Sequence, residues 1–226
     1  MATTAVGTIG VVGGTGNLGA ALARRWAKAG HRVLIGSRDA DRAVEAAHRL
    51  SQELDIEVGG SDNLSVAEQA QLIVMAVPFS SQEEALNQIA TVVQGKILVD
   101  TTVPLVPPKV MRVQLPEEGS AALRTQRRLG EGVRVVSAFQ NVAAHKLATD
   151  AEVDCDVLVF GDDKEARSSV VALANDAGLR GLHAGVLGNS AAAEAMTSIL
   201  IFMNRHYRID GAGIRITGTL DPGDGS

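Results

Sequence analysis

The chain has 226 residues, 46% of them hydrophobic and 21% charged, which suits one large or two small globular domains with a real core. A formal net charge of −5 without any basic block excludes nucleic acid as the main partner, and no apolar run reaches the length of a membrane span. Aromatic residues make up only 3%, so the core must be built from Val, Ile, Leu and Ala, as where parallel strands are buried on both faces.

The first third alternates short apolar runs with longer amphipathic ones, the pattern of βαβ units. Thr8 to Val12 reads as a strand, Asn17 to Ala29 as a helix stopped by Gly30, and His31 to Ile35 as the second strand. Asp39 to Leu54 reads as a helix with Asp39 as its N-cap, and Ile56 to Gly59 as a short third strand. Leu72 to Val77 is a buried strand ended by Pro78, followed by a helix over Gln82 to Val93 and a strand over Ile97 to Asp100. Thr101 to Pro108 carries three prolines and cannot be regular helix.

Glu117 to Leu129 reads as a polar surface helix, and Val133 to Ala138 and Asp156 to Phe160 as strands. Asp163 to Ala177 is a helix ended by Gly178, with a strand near Leu179 to Ala184. A last helix, Ser190 to Tyr207, is apolar around most of its circumference and is expected to be buried. Thr219 to Ser226, rich in Gly and Asp, is expected to fray. The fold this implies is α/β: a Rossmann-type doubly wound, mostly parallel sheet over residues 1–138, with a small C-terminal α/β lobe over 139–226.

The stretch from Ile9 to Gly19 contains Gly14-x-Gly16-x-x-Gly19 between a strand and a helix, the setting a dinucleotide fingerprint requires. Gly14 permits the sharp turn, Gly16 lets a pyrophosphate approach the backbone, and Gly19 lets helix and sheet pack closely. The free N–H groups of Thr15, Gly16, Asn17 and Leu18, with the helix dipole, would meet the phosphate charge. An NAD site usually ends its second strand with an acid, whereas here Ser37 and Arg38 occupy that place. A guanidinium pairs with a 2′-phosphate through two bonds, and Arg42, one helical turn on, adds a second cation. The cofactor is therefore expected to be NADP(H).

No nucleophilic triad, paired-carboxylate or metal constellation accompanies this site. Tyr207 is the one tyrosine and has Gly211, not Lys, four residues on, which excludes the Tyr-x-x-x-Lys proton relay of short-chain dehydrogenases. One cysteine and five scattered histidines make no zinc site, and Cys155, in an apolar run, reads as a core residue. His31 reads as a surface residue, and His145 as the histidine nearest the cleft.

Beyond the glycine loop, the chain carries Gly36-Ser37-Arg38, Val77-Pro78, Pro104-Leu105-Val106-Pro107, Val136 to Ala144, Leu187-x-Asn189-Ser190, Asn204-Arg205 and Gly213 to Gly218. In that combination it resembles the NADPH:coenzyme F420 oxidoreductase family from Thr8 to Gly218, departing from it at Val186 and Gly211. The resemblance implies NADPH and the deazaflavin coenzyme F420, the second substrate, stacked in one cleft, with hydride passing directly between them. The protein then positions and shields rather than supplying a catalytic side chain. It implies a nicotinamide wall from Val77, Pro78 and Phe79, and a rigid deazaflavin wall from Val103, Pro104 and Val106. Ala138, Gln140 and Asn141 would offer backbone and amide donors to the ring, and Leu187 and Asn189 would close the cleft from the second lobe. Arg205, Arg208 and Arg215 are the cations available to an anionic tail.

The apolar faces of the last helix point to a homodimer packed through it across a two-fold axis. Met1 to Gly7 lacks the basic and apolar regions of a signal peptide, and a single cysteine suits a reducing compartment, so the expected location is the cytoplasm. Two other readings remain open on sequence alone: an NADPH-dependent flavin or ferric reductase, and an NADP(H) sensor without turnover.

Overall fold

The computed structural model describes residues 7–220; residues 1–6 and most of the Thr219–Ser226 tail lie outside them. Eight strands form one sheet in the order β3-β2-β1-β4-β5-β6-β7-β8. They are β1 Ile9–Val12, β2 Val33–Ser37, β3 Gly59–Asp62, β4 Leu72–Met75, β5 Ile97–Asp100, β6 Arg134–Ser137, β7 Asp156–Gly161 and β8 Arg180–His183. All neighbours run parallel except β6 and β7, which are antiparallel with Ser137 opposite Phe160. The order reverses between β1 and β4, so their C-terminal ends open the crevice where sheets of this kind bind ligands.

The helices are α1 Asn17–Lys28, α2 Ala40–Leu54, α3 Asn63–Gln69, α4 Phe79–Ile89, α5 Ala121–Leu129, α6 Ala144–Leu147, α7 Lys164–Asp176 and α8 Ser190–Tyr207. They cover both faces of the sheet, which explains why β1, β2 and β4 are buried at every position. One core joins strands β1 and β2 to α1, α2, β7 and α7, and therefore runs across residue 138. Trp26 of α1 is its largest member, with no exposed surface; its indole N–H donates to Leu173 O at 2.9 Å and its ring meets Phe139 edge-on. A second cluster, from Ile73, Met75, Leu86, Ile89 and Leu98, packs α4 on the opposite face.

Several expected boundaries move. The second strand begins at Val33 rather than His31, and the third lies at Gly59–Asp62 rather than Ile56–Gly59. Helix α3 was not expected: Asp62 caps it by accepting the Ser65 N–H at 3.0 Å. Helix α4 starts at Phe79, directly on Pro78, and α5 starts at Ala121 with Ala121, Ala122, Thr125 and Leu129 buried, so it is no simple surface helix. Residues 213–218 form no strand, because the segment spends its bonds on Asp156: Asp156 N–H donates to Ile214 O, and the Asp156 carboxylate accepts the Ile216 N–H.

Helix α8 has the expected bounds, and its own chain covers only part of its apolar circumference. Ala193, Glu194, Ser198 and Leu200 face inward, while Met196, Ile199 and Phe202 stand exposed. His31 is also not a surface residue; its side chain is 13% exposed and lies 2.8 Å from the Asp176 carboxylate.

Candidate dinucleotide site

The chain leaves β1 through Gly13, whose φ of +76° is the left-handed conformation that glycine tolerates best. The sharp turn therefore belongs to Gly13, not Gly14 as expected. A Cβ on Gly13 would stand 2.6 Å from Val77 Cγ1 and 2.8 Å from Ala76 O, so this glycine also lets the loop press against the end of β4. The Gly14 N–H donates to Gly36 O at 2.8 Å, tying the loop to β2. A Cβ on Gly19 would lie 2.8 Å from Gly13 O and 3.2 Å from Ala76 Cβ, so this glycine lets α1 lie close against the loop and the end of β4.

Gly16 is the α1 N-cap and carries no side chain to fill the cap, so the N–H groups of the first turn, from Asn17, point outward without helical acceptors. The Gly16 N–H is not among the free donors, since it bonds Gly13 O at 3.0 Å. Leu18 is half-buried against the core and offers backbone only.

A pocket of about 260 Å³ lies along the crevice between β1 and β4. It brings together Gly13, Thr15 and Gly16 from the loop, Ser37 and Arg38 at the end of β2 with Arg42 of α2, and Ala76, Val77 and Pro78 from the end of β4. Asp39 stands at its edge but is committed to α2, accepting the Asp41 and Arg42 N–H groups. Ser37 is buried and receives the Asp39 N–H, while Arg38 and Arg42 are exposed and turned to the pocket. The cationic end and the side-chain-free cradle fit a 2′-phosphate and a pyrophosphate respectively.

Sequence reasoning missed Asn63, at the start of α3. It is buried, and its Oδ1 accepts the Gly13 N–H at 3.3 Å while its Nδ2 donates to Gln88. The Asp62-Asn63-x-Ser65 spacing, a helix-start signature, was the signal available. Ser81 and Ala85 of α4 also line the pocket.

The other expected residues lie outside this pocket. Asn17 borders a larger cavity of about 640 Å³ between α1, α2 and α6, reached also by Thr15 and His145. That cavity lies among the helices rather than along the strand ends, so the smaller one is the dinucleotide crevice. Phe79 begins α4 with the Arg124 guanidinium 5.4 Å above its ring. Val103 is half-buried, Pro104 buried and Val106 exposed in the loop after β5.

Ala138, Gln140 and Asn141 are buried after β6, and both amides are turned inward. Gln140 Nε2 donates to Asp100 O and Ser137 Oγ, and Asn141 Nδ2 to Ala193 O and Thr197 Oγ1. Their side-chain N–H groups are thus spent within the protein, where a donor to a ring was expected. Leu187 is fully buried with its N–H on the Asp162 carboxylate, and Asn189 is exposed.

His145 lies 2.9 Å from Asp210 and Arg215 2.8 Å from Asp154, both in exposed pairs. The Cys155 thiol is buried and pushed above its ordinary range by that burial, which suits a core residue. Among the described residues no His, Cys, Asp and Glu group has the arrangement of a metal site.

A glycine cradle and a cationic pocket at the switch point of a doubly wound sheet define a dinucleotide-binding protein of the NADP(H) class. Residues 8–104 match the family model of NADP oxidoreductases, coenzyme F420-dependent. The chain is 41% identical to the F420-dependent NADP reductase of Methanothermobacter thermautotrophicus over 92% of its own length and 94% of that protein's. It is 39% identical to the F420-dependent NADP reductase of Methanothermobacter marburgensis, over 92% and 97%. A solved chain from Arthrobacter sp. FB24, provisionally described as an F420-dependent NADP reductase, superposes with a TM-score of 0.78 at 25% identity, covering 93% of this chain and 99% of that one. The chain belongs to the coenzyme F420-dependent NADP oxidoreductase family.

Proposed function

We infer that the protein transfers a hydride between NADP(H) and the deazaflavin coenzyme F420. The observation that carries this reading is the pocket that joins the glycine loop to Ser37, Arg38 and Arg42, in a chain whose full-length relatives are named for that reaction. The two substrates supply the redox chemistry between nicotinamide C4 and deazaflavin C5. The chain's task is to bind, orient and exclude water.

In this reading the first turn of α1 receives the pyrophosphate, Arg38 and Arg42 pair with the 2′-phosphate, and Val77 and Pro78 back the nicotinamide. Phe79, Val103, Pro104 and Val106 extend the wall along the next strand ends, where the deazaflavin lies. With the Gln140 and Asn141 amides engaged internally, the 138–142 segment serves through its backbone. Residues 139–226 act as the part that closes the cleft, set off by the reversal of strand direction after β6 although the core and the sheet run across the boundary.

The exposed Met196, Ile199 and Phe202 support a homodimer through α8, since a contiguous apolar face of this kind is covered in most soluble proteins. No described helix is long and apolar enough to cross a membrane, and with one buried cysteine this supports a cytoplasmic location.

The test is to mix protein with NADPH and oxidised F420 and follow the deazaflavin absorbance. Rapid bleaching with NADPH and much slower bleaching with NADH is the expected result. Tight NADPH binding with no bleaching overturns the reaction.

A further inference from the structure

Asp100, the last residue of β5, has no exposed surface, yet every acceptor it owns is occupied. Its Oδ1 accepts the Thr102 N–H at 2.8 Å, at the start of the loop that carries Val103, Pro104 and Val106. Its Oδ2 accepts the Thr125 hydroxyl of α5 at 2.6 Å and Gln82 Nε2 of α4 at 3.0 Å. Helix α4 is the one that springs from Val77 and Pro78. The Asp100 carbonyl accepts the Ala138 N–H at 3.2 Å and Gln140 Nε2 at 3.0 Å. One residue thus ties together the strand-end segments after β4, β5 and β6.

We propose that Asp100 is a positioning residue for hydride transfer, setting the nicotinamide wall against the deazaflavin wall through Gln82, Thr102 and Gln140. This deepens the reading given above and rests on it. Burial pushes the Asp100 carboxyl above its ordinary range, and the Thr102, Thr125 and Gln82 donors act against that rise, whereas an amide of the same shape would carry no such cost in a purely structural tie. A carboxylate, however, accepts from three donors on two elements and a loop at once, whereas an asparagine would turn a donor against one of them. That makes the angle between the walls, rather than the fold as such, the property that depends on Asp100. None of these groups itself borders the pocket, and its cationic end, Ser37, Arg38 and Arg42, is built at the end of β2 and the start of α2 rather than on the elements Asp100 ties.

The experiment compares wild type with Asp100→Asn in three measurements: NADPH affinity by nicotinamide fluorescence, kcat with F420, and the isotope effect with NADPH deuterated at the transferred position. The result expected is unchanged NADPH affinity, a kcat lower by about ten- to a hundredfold, and a larger isotope effect as the chemical step becomes limiting. A folded Asp100→Asn protein with wild-type kcat and isotope effect overturns the proposal. So does a loss of NADPH affinity in step with kcat, which is the mark of a general structural role.

If Asp100→Asn fails to fold, Gln82→Met, which at similar bulk removes the α4 side of the tie, its contacts to Asp100, the Ala121 carbonyl and Thr125, decides by the same readouts. A wild type that binds NADPH but leaves F420 oxidised overturns the hydride-transfer reading, and this inference with it. Turnover by the wild type beside unimpaired variants overturns this inference alone.

Discussion

Arg38 Nη1 lies 3.4 Å from a Glu84 carboxylate oxygen, so the guanidinium assigned to the 2′-phosphate already faces an anion. Both side chains are more than half exposed, at 65% and 58%, and such a pair contributes about 0–1 kcal/mol. To meet a phosphate Arg38 must leave Glu84, whose own charge repels the ligand. Glu84→Gln is expected to tighten NADPH binding by up to about 1 kcal/mol and leave NADH unchanged. Arg38→Ala is expected to weaken NADPH by about 1.5–3 kcal/mol, the worth of a charge-assisted bond, with little effect on NADH. Fluorescence titrations of both cofactors check the pair; equal losses for NADPH and NADH with Arg38→Ala would remove its assigned role.

Gly13→Ala tests the cradle. The left-handed φ alone costs an alanine about 1–2 kcal/mol, and the new methyl group collides with Val77 and Ala76. The variant is expected to melt earlier, read by the emission of Trp26, the one tryptophan, and to lose most of its NADPH affinity. Gly30→Ala is the control: φ is +93° but nothing lies within 4 Å, so stability falls and binding does not. NADPH affinity surviving Gly13→Ala intact would contradict the loop geometry.

Glu194 of α8 predicts a pH dependence of stability. Its carboxyl accepts the Ala121 and Ala122 N–H groups at 2.6 and 3.1 Å, and burial pushes it from its ordinary 4.5 up to about 8, with the Asp100 charge adding to the rise. Between those values the folded protein holds a proton that the unfolded chain has lost. The stabilisation is therefore complete below about pH 4.5 and is lost as pH rises through about 8. In Glu194→Gln the slope of unfolding free energy over that interval should shrink, although one helix N–H then faces an amide and stability drops by about 1 kcal/mol. Denaturant unfolding at several pH values measures both, and an unaltered slope would show that another group titrates.

The α8 surface predicts the assembly. Light scattering at micromolar concentration should give a dimer for the wild type and a monomer for Phe202→Glu, since Phe202 is 47% exposed in the single chain and would carry its charge into the interface. A monomeric wild type would refute the interface.

The glycine loop, the Asp39 cap, β5 and the bounds of α8 were legible in the sequence, because each carries a strong local signal: glycine spacing, a capping acid, an uninterrupted apolar run, a long helical period. Helix α3 was not, since its seven residues are too few to show a period, and Asn63 was lost with it. Strand β3, Gly-Gly-Ser-Asp, has no β-branched residue to announce it and is held by pairing with β2. The inward turn of Gln140 and Asn141 was equally hidden: an amide in a loop shows its chemistry but not which buried carbonyl will claim it. What covers the exposed apolar face of α8 is not written in its letters, because an apolar circumference is the same string whether its cover comes from its own chain or from another.

The reversed strand β7 decides where the end of the described chain is moored. Because β7 runs against β6, its first residue, Asp156, stands at the edge of the sheet where the cofactor crevice opens. There it clamps Arg180 and the Ile216 N–H, while β1 begins at the far edge. A fusion partner or affinity tag joined downstream of Ile216 is consequently tethered beside the ligand edge, whereas one joined upstream of Ile9 departs from the opposite side. For any measurement of turnover, the upstream end is the place to attach it.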